Sequence, residues 1–467
     1  MKEVTDIKHQ LKRNSVSGFG ALAMSAAFMG PAVSVFFNIV PAAGAAGSAF
    51  PLSFIASMIA ILFIANSVIQ FSKKTKGASF AFTFASEGLG PKAGFLAGWI
   101  LLFAYAMISP ITYAGFGIMA SEFLQRQFEI EISWVYFFLL IGFAVSALSY
   151  FGISHSTRAT LIFLLLELIA ILALYGSVIF SEGTKNTIEP FYLSSAKDGI
   201  SSIGAGMIFG ILSFVGFEAA ANLGEETRNA HKTIPRAITL SVLTIGLFYI
   251  AGAYVADIAF SLDAKAISEN QSPFDTIARS LWGNEFAWII TITALNSVFA
   301  NALAGQTSIV RNLFSLGRAR ILPRNLGHTN SNGVPVNAIV FDYALSIVLG
   351  LGVGLWKGGW AVWTLLGGVM SIGLILVYGT VTLALPFFYL RKHRKDFSPI
   401  KHLISPCIGL VLLLLPLYSS LWPVPEFPYN LAPYAVIFWI LIGLAYYQKR
   451  KSSDTQFVKT FGSVLQE

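Results

Sequence analysis

Apolar runs long enough to cross a bilayer as helix recur along the whole chain, separated by short polar connections. Twelve spans follow from this pattern, approximately 18–40, 50–71, 94–121, 133–151, 160–181, 201–222, 237–258, 286–312, 336–355, 361–389, 402–421 and 430–447. They predict an all-helical integral membrane protein. Two spans are not plain. In the sixth, GAGMIFGILSFVGFEAAANLGEE, the glycines Gly206, Gly210 and Gly216 are expected to interrupt the helix. Glu218 follows two residues after the last of them, and a polar run, Gly224–Thr233, is expected to stop at Pro235. In the first, Gly30-Pro31 falls near the middle. Proline removes a backbone donor and clashes with the preceding turn, so the helix is expected to kink or open there. Non-helical backbone at membrane depth is tolerated only where protein or a water-filled cavity surrounds it. A broken helix beside a buried carboxylate is a usual form of transporter binding site. The plainer alternative is close packing through small residues around one paired glutamate.

The two spans also resemble each other. GFGALAMSAAFMG (18–30) lies over GAGMIFGILSFVG (204–216), with Gly18, Gly20, Phe28 and Gly30 matching Gly204, Gly206, Phe214 and Gly216. Charge gives their directions. Of the 31 lysines and arginines, Arg126, Lys185, Lys197, Lys265, Arg279 and Lys357 fall in one set of connections, and the other 25 fall in the opposite set. Cytoplasmic loops carry such an excess, which places both termini in the cytoplasm. Spans 1 and 6 then run in opposite senses. An inverted repeat is expected, with a first half over 18–181 and a second over 201–392. The last two spans, over 401–448, are peripheral to it. A cytoplasmic segment 1–17 and a cytoplasmic tail 449–467 flank the whole.

Composition narrows the function class. The 467 residues are 55% hydrophobic and 12% charged, and mean hydropathy is +0.69. The net charge of +8 is accounted for by the sidedness of the loops, so no nucleic-acid partner is expected. The start, MKEVTDIKHQLKRN, is polar, and the apolar run after it is too long for a cleavable signal. The single Cys407 excludes an internal disulfide and cysteine metal sites. No nucleophile–base pair, metal cluster or phosphate loop is legible, so neither an enzyme nor a cofactor is expected.

Several polar residues stand out against this background. Glu167 sits mid-span with apolar residues on both sides, and an ionised carboxylate there is costly unless partnered. It carries either a coupling role or a structural hydrogen bond to a neighbouring helix. Tyr105 and Tyr113 in span 3 each either line a cavity or are simply packed, and Tyr378 is mid-helix in span 10. Asn296, Ser297 and Asn301 recur at roughly helical spacing in span 8, facing either the site or another helix. Asp342 lies near the cytoplasmic end of its span and is expected to be solvated. In the external loop 259–285, SPFDTIARSLWG is expected to form a short helix over the mouth.

Four stretches resemble the amino acid–polyamine–organocation transporters: KGASFAFTFASEGLGPKAGFLAGW, FGISHSTRATLIFLLLE, SFVGFEAAANLGEETRNAHKTIPRAI and RNLFSLGRARILPRNL. The resemblance runs from about residue 18 to residue 448. It implies twelve helices in the five-plus-five inverted fold of the leucine-transporter type, with solute bound between broken helices 1 and 6 and moved by alternating access. Many amino-acid-transporting relatives hold the solute carboxylate on the amides of a Gly-x-Gly run in helix 1. Here the run reads Gly30-Pro31-Ala32-Val33-Ser34, so that clamp is either lost or remade by Val33 and Ser34. The loop of helix 6 reads Asn229-Ala230-His231 in place of asparagine-proline. Some proton-driven relatives place a lysine at the level of Glu167, where the sign is here reversed.

Residues and resemblance together predict a secondary active transporter of the plasma membrane for amino acids or related amines, polyamines included. Proton-coupled symport is the first expectation; exchange or sodium coupling is the alternative, and a non-transporting solute sensor the distant one. In helix 1 the expected solute contacts are Met29, Gly30, Ala32, Val33 and Ser34. In helix 6 they are Ser213, Phe214, Val215, Gly216 and Phe217. Tyr105 and Asn301 stand beside them, and Phe214 is expected to cover the solute. Coupling and gating are expected from Glu167, Glu218, Ser297 and Tyr378.

Overall fold

A computed structural model describes residues 18–75, 80–151, 157–223, 227, 229–318, 321–331 and 333–453. The expected segments 1–17 and 454–467, the 152–156 corner and the acidic pair Glu225–Glu226 lie outside the described residues. Every regular element in the described residues is helical. The first span is two helices, α1 (Gly18–Met29) and α2 (Pro31–Ala46), followed by α3 (Phe50–Ser72). A short α4 (Phe80–Leu89) leads into α5 (Pro91–Ala106), α6 (Ile108–Phe128), α7 (Trp134–Tyr150) and α8 (Thr157–Glu182). Next come α9 (Gly199–Ser213) and a 3-10 turn (Phe217–Leu223), then α10 (Ala230–Ala259). Two short loop helices, α11 (Ala264–Glu269) and α12 (Pro273–Trp282), precede the long α13 (Asn284–Arg318). After α14 (Val336–Lys357) come α15 (Gly359–Ala361), a π turn (Val362–Leu366) and α16 (Gly367–Lys392). α17 (Ser405–Ser419) and α18 (Leu431–Ser453) close the described chain. Among the described residues ten helical runs are long and apolar enough to cross a membrane, one of them holding α1 to α3, and the shorter α7 adds another apolar helix. The protein is a multi-pass membrane protein.

Local sequence explains the interruptions. α1 ends at Gly30, whose φ of 55° is left-handed, a conformation glycine adopts at little cost. Pro31 then takes the first position of α2, where its missing N–H is no loss. α9 ends at Ser213, and Gly216 takes φ 104° before the 3-10 turn. Gly206 and Gly210 do not interrupt α9, contrary to expectation. A Cβ on either would stand 2.4 and 2.3 Å from the hydroxyls of Ser53 and Ser57. These glycines let α9 and α3 approach closely, as small residues do between membrane helices. Pro235 also differs from expectation: it lies inside α10, which already starts after the left-handed Asn229.

Two further interruptions break spans read as continuous. The third span divides at Met107, three residues before Pro110; Pro110 cannot donate to Ala106, and the ladder resets there. The tenth span opens with a π turn at Val362–Leu366.

The core is one apolar mass running through the bundle. α2 packs along α9, α1 along α10 and α8, and α13 against α6, α8 and α2. α4 is buried against α5 and α16, with Phe80, Phe82 and Phe84 each at most 5% exposed. The short helix expected in the 259–285 loop is present as α12, and Phe274 packs its ring on Phe36 of α2. Asp342 corrects the reading of a solvated group: it is 0% exposed in α14.

Candidate functional site

The two backbone breaks, at Gly30 and Gly216, face each other. A Cβ on Gly216 would lie 2.6–2.9 Å from the Phe28 side chain, so α1 and the turn after α9 touch through that glycine. Ser25 ties them again, donating to the Phe217 carbonyl at 3.2 Å and accepting from Ala220 N–H at 3.1 Å. The Tyr249 hydroxyl of α10 lies 2.8 Å from both the Met29 and the Ser213 carbonyl oxygens, the last carbonyls of α1 and α9. The orphan groups that helix ends leave behind are thus met largely by side chains from other helices.

Glu167, from α8, reaches the first break. Its Oε1 accepts from Ala32 N–H at 2.6 Å and from the Ser297 hydroxyl of α13 at 2.8 Å. Ser297 in turn accepts from Val33 N–H at 3.2 Å. The carboxylate is 4% exposed. Acceptors at the first amides of a helix meet both free donors and the positive end of its dipole. That accounts for a carboxylate in otherwise apolar surroundings. Asn301, one turn along α13, donates to the Phe28 carbonyl at 2.6 Å.

Glu218 serves the second break. It is fully buried, accepts from the Tyr105 hydroxyl of α5 at 2.6 Å and from the Tyr378 hydroxyl of α16 at 3.2 Å, and takes Gly216 N–H at 3.2 Å. Two tyrosines that stand apart in the sequence meet on one carboxylate. Phe217 and Phe80 pack on the Tyr378 ring, which links the cluster to α4.

A cavity of about 40 Å³ opens between the breaks. From the expected residues it is lined by Met29, Val33, Ser34, Val215 and Asn301. Gly30 and Gly216 shape its walls without lining it, and Ala32 and Ser297 face Glu167. Ser213 accepts from the Asn38 amide at 2.8 Å. Phe214 turns its ring onto Tyr249, 5.4 Å between centroids, and is 0% exposed. Tyr105 and Tyr378 belong to the Glu218 cluster. Sequence reasoning passed over Phe28, Asn38, Thr112, Trp363 and Met370, which complete the lining with Ile108, Ile111 and Leu212. Two signals pointed to them: Pro110, which breaks the helix carrying Thr112, and Asn38, a lone amide in an apolar run. Trp363 lies in the π turn and donates to Asn38 at 3.0 Å; such turns recur at functional sites.

Among the described residues the cavity lining holds no charged side chain. The two glutamates sit behind it, one at each break. The cavity is thus walled by hydroxyls, amides and rings, and hydrogen bonds join its two backbone breaks to two buried acids.

The chain is similar to several proteins named as transporters. The low-affinity putrescine importer PlaP of Escherichia coli K12 is 24% identical over 319 residues, covering 67% of this chain and 69% of that protein. The branched-chain amino acid permease BcaP of Bacillus subtilis is 25% identical over 455 residues, covering 92% and 91%. The glutamate/serine transporter AimA of the same organism is 23% identical over 457 residues, covering 91% and 80%. The amino acid permease family model matches residues 23–456, nearly the whole chain, and the protein belongs to that family.

Proposed function

We propose that the protein is a plasma-membrane transporter that moves amino acids or related amines by alternating access, with protons as the driving ion. In this reading the described helices form twelve spans in two inverted halves, with both termini cytoplasmic. The named relatives support the solute class, since they carry putrescine, branched-chain amino acids, and glutamate or serine.

The observation that carries the ion choice is the seat of Glu167. One carboxylate joins α8 to the start of α2 and to α13. Any movement of α2 against those helices breaks these bonds. A carboxylate stripped of donors in an apolar interior is costly while charged, so it takes up a proton. When the donors return, the proton leaves. The Ala32 N–H and the Ser297 O–H both donate to Glu167, which suits a carboxylate that gives up and regains a proton. Glu218 is the second group of this kind, tied to the solute wall through Gly216.

The test is uptake of labelled leucine and of labelled 1,4-diaminobutane into liposomes holding the purified full chain. An imposed gradient, acid outside and without sodium, drives concentrative uptake of at least one of them. Glu167→Gln retains exchange but loses at least tenfold in concentrative uptake. Uptake that requires sodium and ignores pH identifies the other ion, and exchange without any gradient-driven uptake identifies an exchanger.

A further inference from the structure

Within the solute site that this transport reading assigns, we infer that the solute is held by an amino group and carries no α-carboxylate, because Glu167 already fills the place at the start of α2 where a carboxylate would bind. The start of a helix is a ready anion site, since its first N–H groups are free and its dipole is positive there. Here none is free. Gly30 N–H donates to Ala27, Pro31 has no N–H, and Ser34 N–H donates to Gly30. Ala32 donates to Glu167 and Val33 to Ser297. Neither Val33 nor Ser34 therefore rebuilds the clamp that Pro31 removes.

The second break offers no replacement. Phe214, Val215 and Phe217 donate to backbone carbonyls, and Gly216 donates to Glu218. The cavity side chains have also used donors on the protein itself. Ser34 donates to the Met29 carbonyl at 2.9 Å, Thr112 to Ile108 at 2.9 Å, and Trp363 to Asn38 at 3.0 Å. Asn38 and Asn301 each use amide hydrogens on Ser213 and Phe28. What the hydroxyls and the Asn301 carbonyl oxygen keep are acceptor lone pairs. Among the described residues no lysine, arginine or histidine lines the cavity. A carboxylate here would be desolvated with at most two amide hydrogens to meet it.

An ammonium group meets the opposite conditions. It has three donors for the hydroxyl and amide oxygens. The negative end of the α9 dipole borders the cavity at Leu212 and Val215, and cations are favoured there. At the other break Glu167 cancels the positive end of α2. The site thus selects for a donor-rich cation through the same residue that the transport reading gives to the proton.

Matched pairs test this in counterflow with the reconstituted full chain: leucine against 3-methylbutylamine, and ornithine against 1,4-diaminobutane. In at least one pair the amine is expected to compete at least tenfold more strongly than its amino acid. Leucinamide, nearly the size of leucine but uncharged at that carbon, is expected to side with the amine. Amino acids that equal or surpass their amines overturn the inference and leave the transport reading standing. Leucinamide grouping with leucine also overturns it, because size and not charge would then be the excluded feature. Failure of every compound to compete, together with no gradient-driven uptake, removes the transport reading and this inference with it.

Discussion

Single glycines decide where this protein opens. Gly206, Gly210 and Gly216 look alike in the sequence, all within one apolar stretch. Gly206 and Gly210 are helical and are small because α3 lies against them. Only Gly216 has a left-handed backbone, φ 104°. Composition cannot separate these uses, because one depends on a neighbour distant in sequence and the other on a dihedral angle. Gly30 was legible because Pro31 follows it. Gly216→Ala is expected to strain the backbone by roughly 1–3 kcal/mol and to push Phe28, now 2.6 Å from the new Cβ position, into the cavity it lines. Uptake should fall more than tenfold per inserted molecule while the protein still reaches the membrane. Unchanged uptake alongside normal insertion would show that this turn can be closed without consequence.

The elements were read well as apolar lengths and poorly as networks. The division at Met107 and the π turn at Val362–Leu366 left only Pro110 as a local sign. Both place cavity residues, Thr112 and Trp363 among them. Glu218 was legible as a buried acid, but its partners come from α5 and α16, and no spacing in the sequence joins Tyr105 to Tyr378. Asp342 was misjudged for the same reason, since its distance from the span end says nothing about what covers it. In the folded chain it takes the Ser109 hydroxyl at 2.8 Å and the Gln306 amide at 3.5 Å. Gln306 holds this corner of α6, α7, α13 and α14 together. It donates to Tyr113 at 3.1 Å and Ser146 at 2.9 Å, and accepts from Ser149 at 2.7 Å. Hydrogen bonds between membrane helices average about 0.6 kcal/mol. Four partners on one side chain therefore make Gln306→Leu cost roughly 2 kcal/mol by that average. Thermal unfolding in detergent checks this: the midpoint drops for Gln306→Leu. A Leu variant as stable as the parent would mean that these bonds only replace equivalent ones in the unfolded chain.

At the scale of the whole molecule the sequence was most informative, because the bilayer sorts residues by type before any contact forms. The apolar runs fixed the helical class, and the family model spans 23–456. The sidedness of the cations remains a proposal about orientation, and the folded chain gives it specific residues. Lys74 meets Asp396 at 2.8 Å and Lys392 meets Glu87 at 2.6 Å, so the loops after α3 and α16 are pinned together on one surface. The hydrogen bond and charge of Lys74 hold Asp396 below the usual carboxylate range, so this contact persists at neutral pH and is lost only in acid. Lys265, on the loop helix α11, has a side chain 81% exposed and lies in the connection assigned to the other side. In a Cys407→Ser background, Lys265→Cys should react with a membrane-impermeant maleimide on intact cells. Lys395→Cys, exposed beside Asp396, should react only after permeabilisation. The reverse pattern would turn the molecule over. The Glu167 carboxylate would keep its donors under that reversal, but the acid side of the driving gradient would have to change, so labelling and gradient-driven uptake must agree on a single orientation.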